Sequence, residues 1–139
     1  MIYLASPYTH GDATVREERF REACRAAAIL MRQGHVVFAP IVHGHPLVAE
    51  GLPIEWTFWE RFDREHLSRC DEVVVLMLDG WKSSTGVQAE IRIAEQLGKP
   101  VRYLNAEAQS GVELQAIERG SGLRSIAVCR AETGKDASA

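Results

Sequence analysis

The sequence predicts a single-domain α/β fold built on a doubly wound parallel sheet. Short apolar runs rich in β-branched residues alternate along the chain with longer helical stretches, which is the order expected for a parallel sheet with helices on both faces. The runs are almost continuously apolar, as strands buried on both faces are. A chain of 139 residues suits one such domain, and no repeat or linker divides it.

Each element of this fold has a local signal. Three clear strands and a weaker fourth are predicted at residues 2–5, 36–39, 73–78 and 101–104. Helices are predicted at residues 13–33, 54–69 and 84–97, the first ending at Gly34 and the third at Gly98, because glycine commonly follows the last turn of a helix. The segment PIVHGHP, after the second strand, is interpreted as a loop.

The signal weakens towards the C-terminus. A helix at 112–119 and a short strand at 125–129 are predicted, followed by the tail AETGKDASA. We therefore expect an α/β domain over 1–105 and a C-terminal extension over 106–139 that is partly disordered.

Composition excludes several classes of protein. A formal net charge of −3 disfavours a surface that coats a nucleic acid polymer, although a small anionic ligand remains compatible with it. The three cysteines are widely spaced and odd in number, so they are interpreted as reduced thiols and not as a disulfide framework. No basic leader precedes the first strand, and no apolar run approaches the roughly 20 residues that span a bilayer. These features predict a cytoplasmic protein without a membrane partner.

A glutamate interrupts the apolar face of the third predicted helix. Glu90 lies three residues after Val87 and four before Ala94, on a stripe that continues to Leu97. Burying a carboxylate there is costly unless something compensates. The side chain either reaches outward or makes a structural hydrogen bond, or it serves a chemical function.

An aspartate interrupts the second predicted helix in the same way. Asp63 lies between Trp59 and Leu67 on one face. It is explained either by an ion pair with Arg64 or Arg69, or by a raised pKa in an apolar setting. Glycosidic bond cleavage requires one carboxylate at the sugar and one acid at the leaving group, and two carboxylates on neighbouring core-facing stripes are a candidate for that pair.

Hydroxyl groups and histidines follow the strands. Residues 83–86 (SSTG) open the third helix and form either an anion site at its N-terminus or a simple cap. The first loop, SPYTHGD, adds Ser6, Tyr8 and His10. Neither GxGxxG nor GxxxxGK[ST] occurs, so an anion bound here would be a single phosphate and not part of a dinucleotide or ATP.

The remaining ring side chains leave two interpretations open. His43 and His45 form an HxH pattern, but no further ligands suggest a metal site, so contact with a base or a loop role is expected. The tryptophans, which are Trp56, Trp59 and Trp81, either stack on a base or belong to the core.

Three segments resemble a known family. IYLASPY, DREHLSRCDEVVVL and SSTGVQAEIRIAEQLGKPV carry a resemblance that covers roughly residues 2–104. They are similar to segments of the nucleoside 2-deoxyribosyltransferase superfamily, which includes the 2′-deoxynucleoside 5′-phosphate N-hydrolases. The SPY, HP and GW-S-G-E signatures resemble one bacterial branch of it. The resemblance implies a flavodoxin/Rossmann-like sheet and enzymatic activity.

The resemblance also implies roles for individual residues. Glu90 matches the family's nucleophilic glutamate, Asp63 the aspartate that assists the departing base, and Tyr3 the tyrosine that orients the glutamate. Ser84 matches a position that binds phosphate in the N-hydrolases. The first loop departs from the family's glycine-rich, arginine-containing loop, and Arg16 or His10 is a candidate for the missing positive charge.

From these observations we expect an N-glycosidase that cleaves the base–sugar bond of a nucleoside 5′-monophosphate, or a transferase that moves the 2-deoxyribosyl group to another base. Besides Ser84, the expected substrate-binding residues are Ser6, Tyr8, His10, Gly86 and His45. No cofactor or metal is expected, and the resemblance implies a homo-oligomer. The alternatives are a nucleotide-binding module without catalysis and an NAD-type glycohydrolase.

Overall fold

A computed structural model describes residues 1–106 as one α/β domain. Its elements in chain order are β1 (Ile2–Ala5), α1 (Ala13–Arg32), β2 (Val37–Phe38), α2 (Pro40–Ala49), α3 (Trp56–Arg69), β3 (Glu72–Met77), a short 3₁₀ turn (Trp81–Ser83), α4 (Thr85–Gln96) and β4 (Val101–Asn105). The helix predicted at 112–119 and the strand predicted at 125–129 lie outside the described residues. Within the described part of the chain, no helix is both long and apolar enough to cross a bilayer.

The sheet confirms the predicted class. Its four strands are all parallel, in the order β2-β1-β3-β4, which is the flavodoxin-like order as far as it extends. The chain leaves β1 for β2 on one side and returns to β3 on the other. This change of direction opens a crevice beyond the carboxyl ends of β1 and β3, where ligands of doubly wound folds bind.

Alternation along the strands divides the core between the two faces of the sheet. Tyr3 and Val75 belong to a buried cluster that includes side chains of α3 and α4. Leu4 and Leu76 belong to a second cluster that includes side chains of α1. Because successive side chains of a strand point to opposite faces, position 3 delivers its side chain to the α3 and α4 side.

The helix ends follow the sequence signals. The Asp12 side chain accepts a hydrogen bond from the Thr14 N–H at the start of α1, as an N-cap does. Gly34 and Gly98 adopt positive φ angles of 91° and 64° just beyond α1 and α4, where a residue with a Cβ is strained. Leu97 is the exception to the predicted stripe, since it lies at the C-cap of α4 and is exposed.

The segment predicted as a loop after the second strand is a helix. In α2, Pro40 occupies the first turn, where its fixed φ is suited to a helix and its missing N–H is not needed. Pro46 lies inside the helix and made the segment resemble a loop, because proline removes an internal hydrogen bond. Packing explains the difference: Pro40 and Gly44 are buried in α2, and Val42 packs on the core cluster that contains Leu4.

Candidate active site

A cavity of about 460 Å³ lies at the carboxyl ends of β1 and β3. Its wall combines the loop after β1, one side of α2, the segment leading into α3 and the N-terminal turns of α4. Thr9 Oγ1 donates to the Ile54 carbonyl at 2.8 Å, and this hydrogen bond ties the first loop to the segment before α3. The cavity therefore occupies the crevice that the strand order creates.

Glu90 lies at the cavity on the first turns of α4 and is only 4% exposed. The fully buried Tyr3 hydroxyl donates to Glu90 Oε1 at 2.7 Å. Desolvation raises the pKa of Glu90 well above its usual range, the neighbouring Asp63 carboxyl raises it further, and the Tyr3 hydrogen bond partly offsets both. This side chain is thus buried, oriented by one donor and open to the cavity.

Asp63 reaches the same cavity from α3 and is 6% exposed. Desolvation raises its pKa from 3.8 to about 7, with the Tyr3 hydroxyl opposing the shift. The ion-pair explanation does not apply, since Arg64 pairs with Glu60 and Arg69 with Glu65. The structure therefore brings the two predicted carboxyls together beside Tyr3.

Three buried oxygen atoms at the cavity have no hydrogen-bond partner. They are Ser6 Oγ, Asp63 Oδ1 and Glu90 Oε2, and all three residues line the cavity. Leaving buried polar atoms unpaired costs roughly 1–3 kcal/mol each. A ligand that carries hydroxyl or N–H groups would recover this energy, so this end of the cavity is a candidate polar binding site.

The N-terminus of α4 forms another part of the wall. Ser84 caps the helix, its Oγ accepting from the Val87 N–H at 3.3 Å. Thr85 and Gly86 follow on the cavity side, and N–H groups in a first helical turn have no intrahelical acceptor. Gly86 lies beside the Trp56 ring, which would be in ordinary van der Waals contact with a Cβ at this position.

Two of the three tryptophans belong to the cavity. Trp56 and Trp59 line it, and Trp59 Nε1 donates to the Pro53 carbonyl at 2.7 Å, which fixes the plane of that ring. Trp81 packs instead on Tyr103 with ring centroids 5.4 Å apart. The wall thus includes two aromatic side chains, and aromatic rings pack favourably against planar groups.

The predicted histidines and tyrosine are only partly brought together. Tyr8 and His45 line the cavity, with the Tyr8 hydroxyl 2.7 Å from His45 Nδ1. His10 is exposed and is not part of the wall; its Nδ1 accepts from the Asp12 N–H. His43 stacks on Phe62 with centroids 5.1 Å apart. Among residues 1–106, no three His, Cys, Asp or Glu side chains form a group that could hold a metal ion.

Sequence reasoning missed Arg19, which holds the walls in place. From α1, its Nη1 donates to the Thr9 carbonyl at 3.1 Å and its Nη2 to the Asp79 carbonyl at 3.0 Å. The arginine thereby joins the loop after β1 to the loop after β3. Nothing in the sequence marks it among its neighbours in α1, because its partners are distant backbone atoms.

Comparisons with known proteins agree with this α/β fold. A family model described as "Domain of unknown function (DUF1937)" matches residues 1–106. The structure is similar to a solved 2-deoxyribosyltransferase from the psychrotolerant bacterium Bacillus psychrosaccharolyticus, with 31% identity and a TM-score of 0.56 over 81% of this chain and 75% of that one. No curated protein matches the sequence.

The raised pKa of Asp63 predicts a pH-dependent effect of Asp63→Asn on stability. Since the folded pKa is about 7 against 3.8, the folded state retains a proton that the unfolded chain releases, and stability is lost as pH rises through this window. At about 1.4 kcal/mol per pKa unit, the variant should gain up to about 4 kcal/mol over the wild type between roughly pH 4 and pH 8. Urea unfolding at several pH values measures this.

The matched control is Asp71→Asn. Asp71 is exposed, and its hydrogen bond with the N-terminal ammonium group lowers its pKa, so its removal should act in the opposite direction. Parallel pH–stability curves for the wild type and Asp63→Asn would show that Asp63 carries no such shift.

Proposed function

This chain belongs to the DUF1937 family and to the nucleoside 2-deoxyribosyltransferase superfamily, and we propose that it breaks the N-glycosidic bond of a nucleoside 5′-monophosphate. The sugar passes to water or, in a transfer reaction, to another base. The observation that carries the proposal is the buried pair of Glu90 and Asp63 at the cavity, with Tyr3 bonded to the glutamate. Cleavage of a glycosidic bond needs one carboxylate at the sugar and one acid at the leaving group.

Glu90 is proposed as the group that attacks the anomeric carbon. One of its oxygens is held by Tyr3 at 2.7 Å, while Oε2 has no partner and the residue lines the cavity. A carboxylate fixed in this way keeps one oxygen free for the sugar without rotating. Desolvation of the same carboxylate increases its attraction to the positive charge that develops on the sugar ring.

Asp63 is proposed as the acid that assists the leaving base. Two carboxylates in one buried site repel each other, so the pair retains a proton near neutral pH. Burial raises the pKa of both carboxyls, and the Asp63 charge raises that of Glu90 further. We propose that the positive charge developing on the sugar draws the negative charge to Glu90 and leaves the proton on Asp63, whose pKa of about 7 suits proton transfer at neutral pH.

The reaction proceeds in two balanced steps. In the first, the C1′–N bond breaks, a bond forms between C1′ and a Glu90 oxygen, and the Asp63 proton passes to the departing base. In the second, water or an acceptor base attacks C1′, its proton returns to Asp63, and the bond to Glu90 breaks. Carboxyl groups supply every step, so we propose no metal or organic cofactor.

The cavity walls suggest how the substrate lies. We place the planar base against Trp56 and Trp59, which line the cavity, because aromatic rings stack on planar groups. The N-terminus of α4 at Ser84 and Gly86 suits the 5′-phosphate, because N–H groups and the helix dipole favour an anion. Arg16 supplies positive charge nearby, since it lowers the pKa of the wall residue Tyr8.

The homo-oligomer implied by the family resemblance is likewise proposed. Leu52 and Phe58 are exposed apolar residues in the segments beside the cavity-lining residues Ile54 and Thr57, and a second copy would cover such surface. Light scattering in solution gives the mass, and a monomer at micromolar concentration would contradict the proposal.

Glu90→Gln should reduce base release by roughly 10³-fold or more, since it removes the nucleophile while preserving size and the acceptor for Tyr3. The assay incubates the protein with a panel of nucleosides and nucleotides, with and without an acceptor base, and identifies free bases by chromatography. Glu95→Gln is the control, because Glu95 is exposed on the same helix. An unchanged rate in Glu90→Gln would discard the assignment, and binding without turnover across the panel would favour a nucleotide-binding module.

Ser84→Ala should selectively weaken the use of 5′-monophosphates. Loss of the hydroxyl removes both a phosphate contact and the cap bond to Val87, so stability should also fall by about 1 kcal/mol. The ratio of kcat/KM for a monophosphate to that for its free nucleoside should drop about tenfold. Ser83→Ala is the comparison, because Ser83 Oγ donates to the Gly80 carbonyl. An unchanged ratio in Ser84→Ala would contradict the proposal that the phosphate binds at this end of the cavity.

A further inference from the structure

A chain of three polar side chains runs from the cavity wall to the surface of α1. The Tyr8 hydroxyl lies 2.7 Å from His45 Nδ1, and His45 Nε2 lies 2.8 Å from Glu17 Oε2. Tyr8 and His45 line the cavity, whereas Glu17 does not. The proposed reaction uses none of these residues, so the chain requires its own explanation.

Ring contacts hold the histidine in this orientation. His45 stacks on Phe20 with centroids 4.2 Å apart and an angle of 18° between the planes, and it meets the Tyr8 ring edge-on at 85°. A rotation that exchanged the positions of the two ring nitrogens would break both hydrogen bonds of the imidazole. Nε2 therefore stays hydrogen-bonded to Glu17 and Nδ1 to Tyr8.

Glu17 determines which nitrogen carries the proton. Hydrogen bonds from Arg21 and His45 lower the pKa of Glu17, so its carboxylate only accepts. His45 Nε2 must then donate, so when the ring carries a single proton Nδ1 is an acceptor. Burial raises the pKa of Tyr8 despite the nearby Arg16 charge, so the tyrosine keeps its proton and donates it to Nδ1.

This orientation leaves the Tyr8 oxygen as an acceptor towards the cavity. Its single proton is directed at His45, so only lone pairs remain for a ligand. Arg16 also acts as a donor towards Tyr8, since a hydrogen bond from it lowers the pKa of the tyrosine, while its Nη1 donates to the His10 and Gly11 carbonyls. This contact too uses the Tyr8 oxygen as an acceptor and leaves its other lone pair free. The tyrosine oxygen therefore favours a ligand group that donates a hydrogen bond.

We propose that Tyr8 determines specificity by accepting a hydrogen bond from a donor group of the nucleoside, either a sugar hydroxyl or an exocyclic amino group, and that His45 and Glu17 are positioning residues that set its polarity. The proposal rests on the proposed function for the identity of the ligand. A substrate without the donor would leave the Tyr8 oxygen facing it unpaired, which sites built for a hydrogen bond penalise.

Two substrate pairs distinguish the possible donors. The first compares a 2′-deoxyadenosine substrate with its analogue that lacks the exocyclic amino group, and the second compares a 2′-deoxynucleoside with its 2′,3′-dideoxy analogue. In one pair, kcat/KM of the wild type should fall about tenfold or more when the donor is missing. In Tyr8→Phe, the ratio of kcat/KM for the substrate with the donor to kcat/KM for its analogue should be close to one. The substrate pair whose ratio changes in this way identifies the donor.

The positioning residues are tested with the same ratio. His45→Phe retains a ring against Phe20 but frees the Tyr8 O–H to donate, so selectivity should fall towards that of Tyr8→Phe. Glu17→Gln should retain selectivity, because its amide oxygen still accepts from His45 Nε2, whereas Glu17→Ala should lose part of it. A purely structural role would lower kcat/KM for both members of a pair and leave their ratio unchanged.

Tyr103→Phe is the matched control, because Tyr103 is buried in the core and does not line the cavity; its ratios should equal those of the wild type. Equal selectivity in Tyr8→Phe and wild type, or no selectivity of the wild type in either pair, would overturn the proposal. If the wild type releases no base from any substrate, the proposed function fails separately, and calorimetric binding of the same pairs to wild type and Tyr8→Phe decides the role of Tyr8.

Discussion

Burial of Glu90 beside Asp63 is the constraint on which the site depends. Neither carboxyl has a cationic side chain as a hydrogen-bond or ion-pair partner in the described part of the chain, and desolvation raises the pKa of both. The folded state bears this cost because the surrounding packing holds the two helices in place. The buried Val87 and Leu67 anchor α4 and α3 in one core cluster, so the carboxyls cannot separate without opening the core.

The strand register explains how Tyr3 reaches this pair. It lies opposite Val73 in the pairing of β1 with β3, and both side chains enter the cluster shared with α3 and α4. A shift of one residue in β1 would carry the phenol to the α1 face. The register of the sheet therefore also orients the Glu90 carboxyl, because the strand that packs in the core supplies its hydrogen-bond donor.

Local patterns in the sequence were sufficient to predict the class of fold, the parallel strands and the two candidates Asp63 and Glu90, whereas Tyr3 followed only from the family resemblance. Periodicity located the two carboxyls on buried helix faces because burial depends on helical spacing, which sequence displays directly. Periodicity failed for α2, where Pro46 suggested a loop and the packing of Val42 on the core cluster that contains Leu4 involves residues distant in the sequence. It also missed Glu17 and Arg19, whose roles depend on partners brought together only by folding.

The clamp formed by Arg19 has a consequence for the substitutions that the loops can tolerate. Its hydrogen bonds end on backbone carbonyls of Tyr8, Thr9 and Asp79, and no side chain of those residues takes part in them. Substitutions at these positions can therefore change the side chains at the rim of the cavity while the loops keep their course. Anchoring through the main chain thus separates the shape of the rim from the chemistry of its side chains.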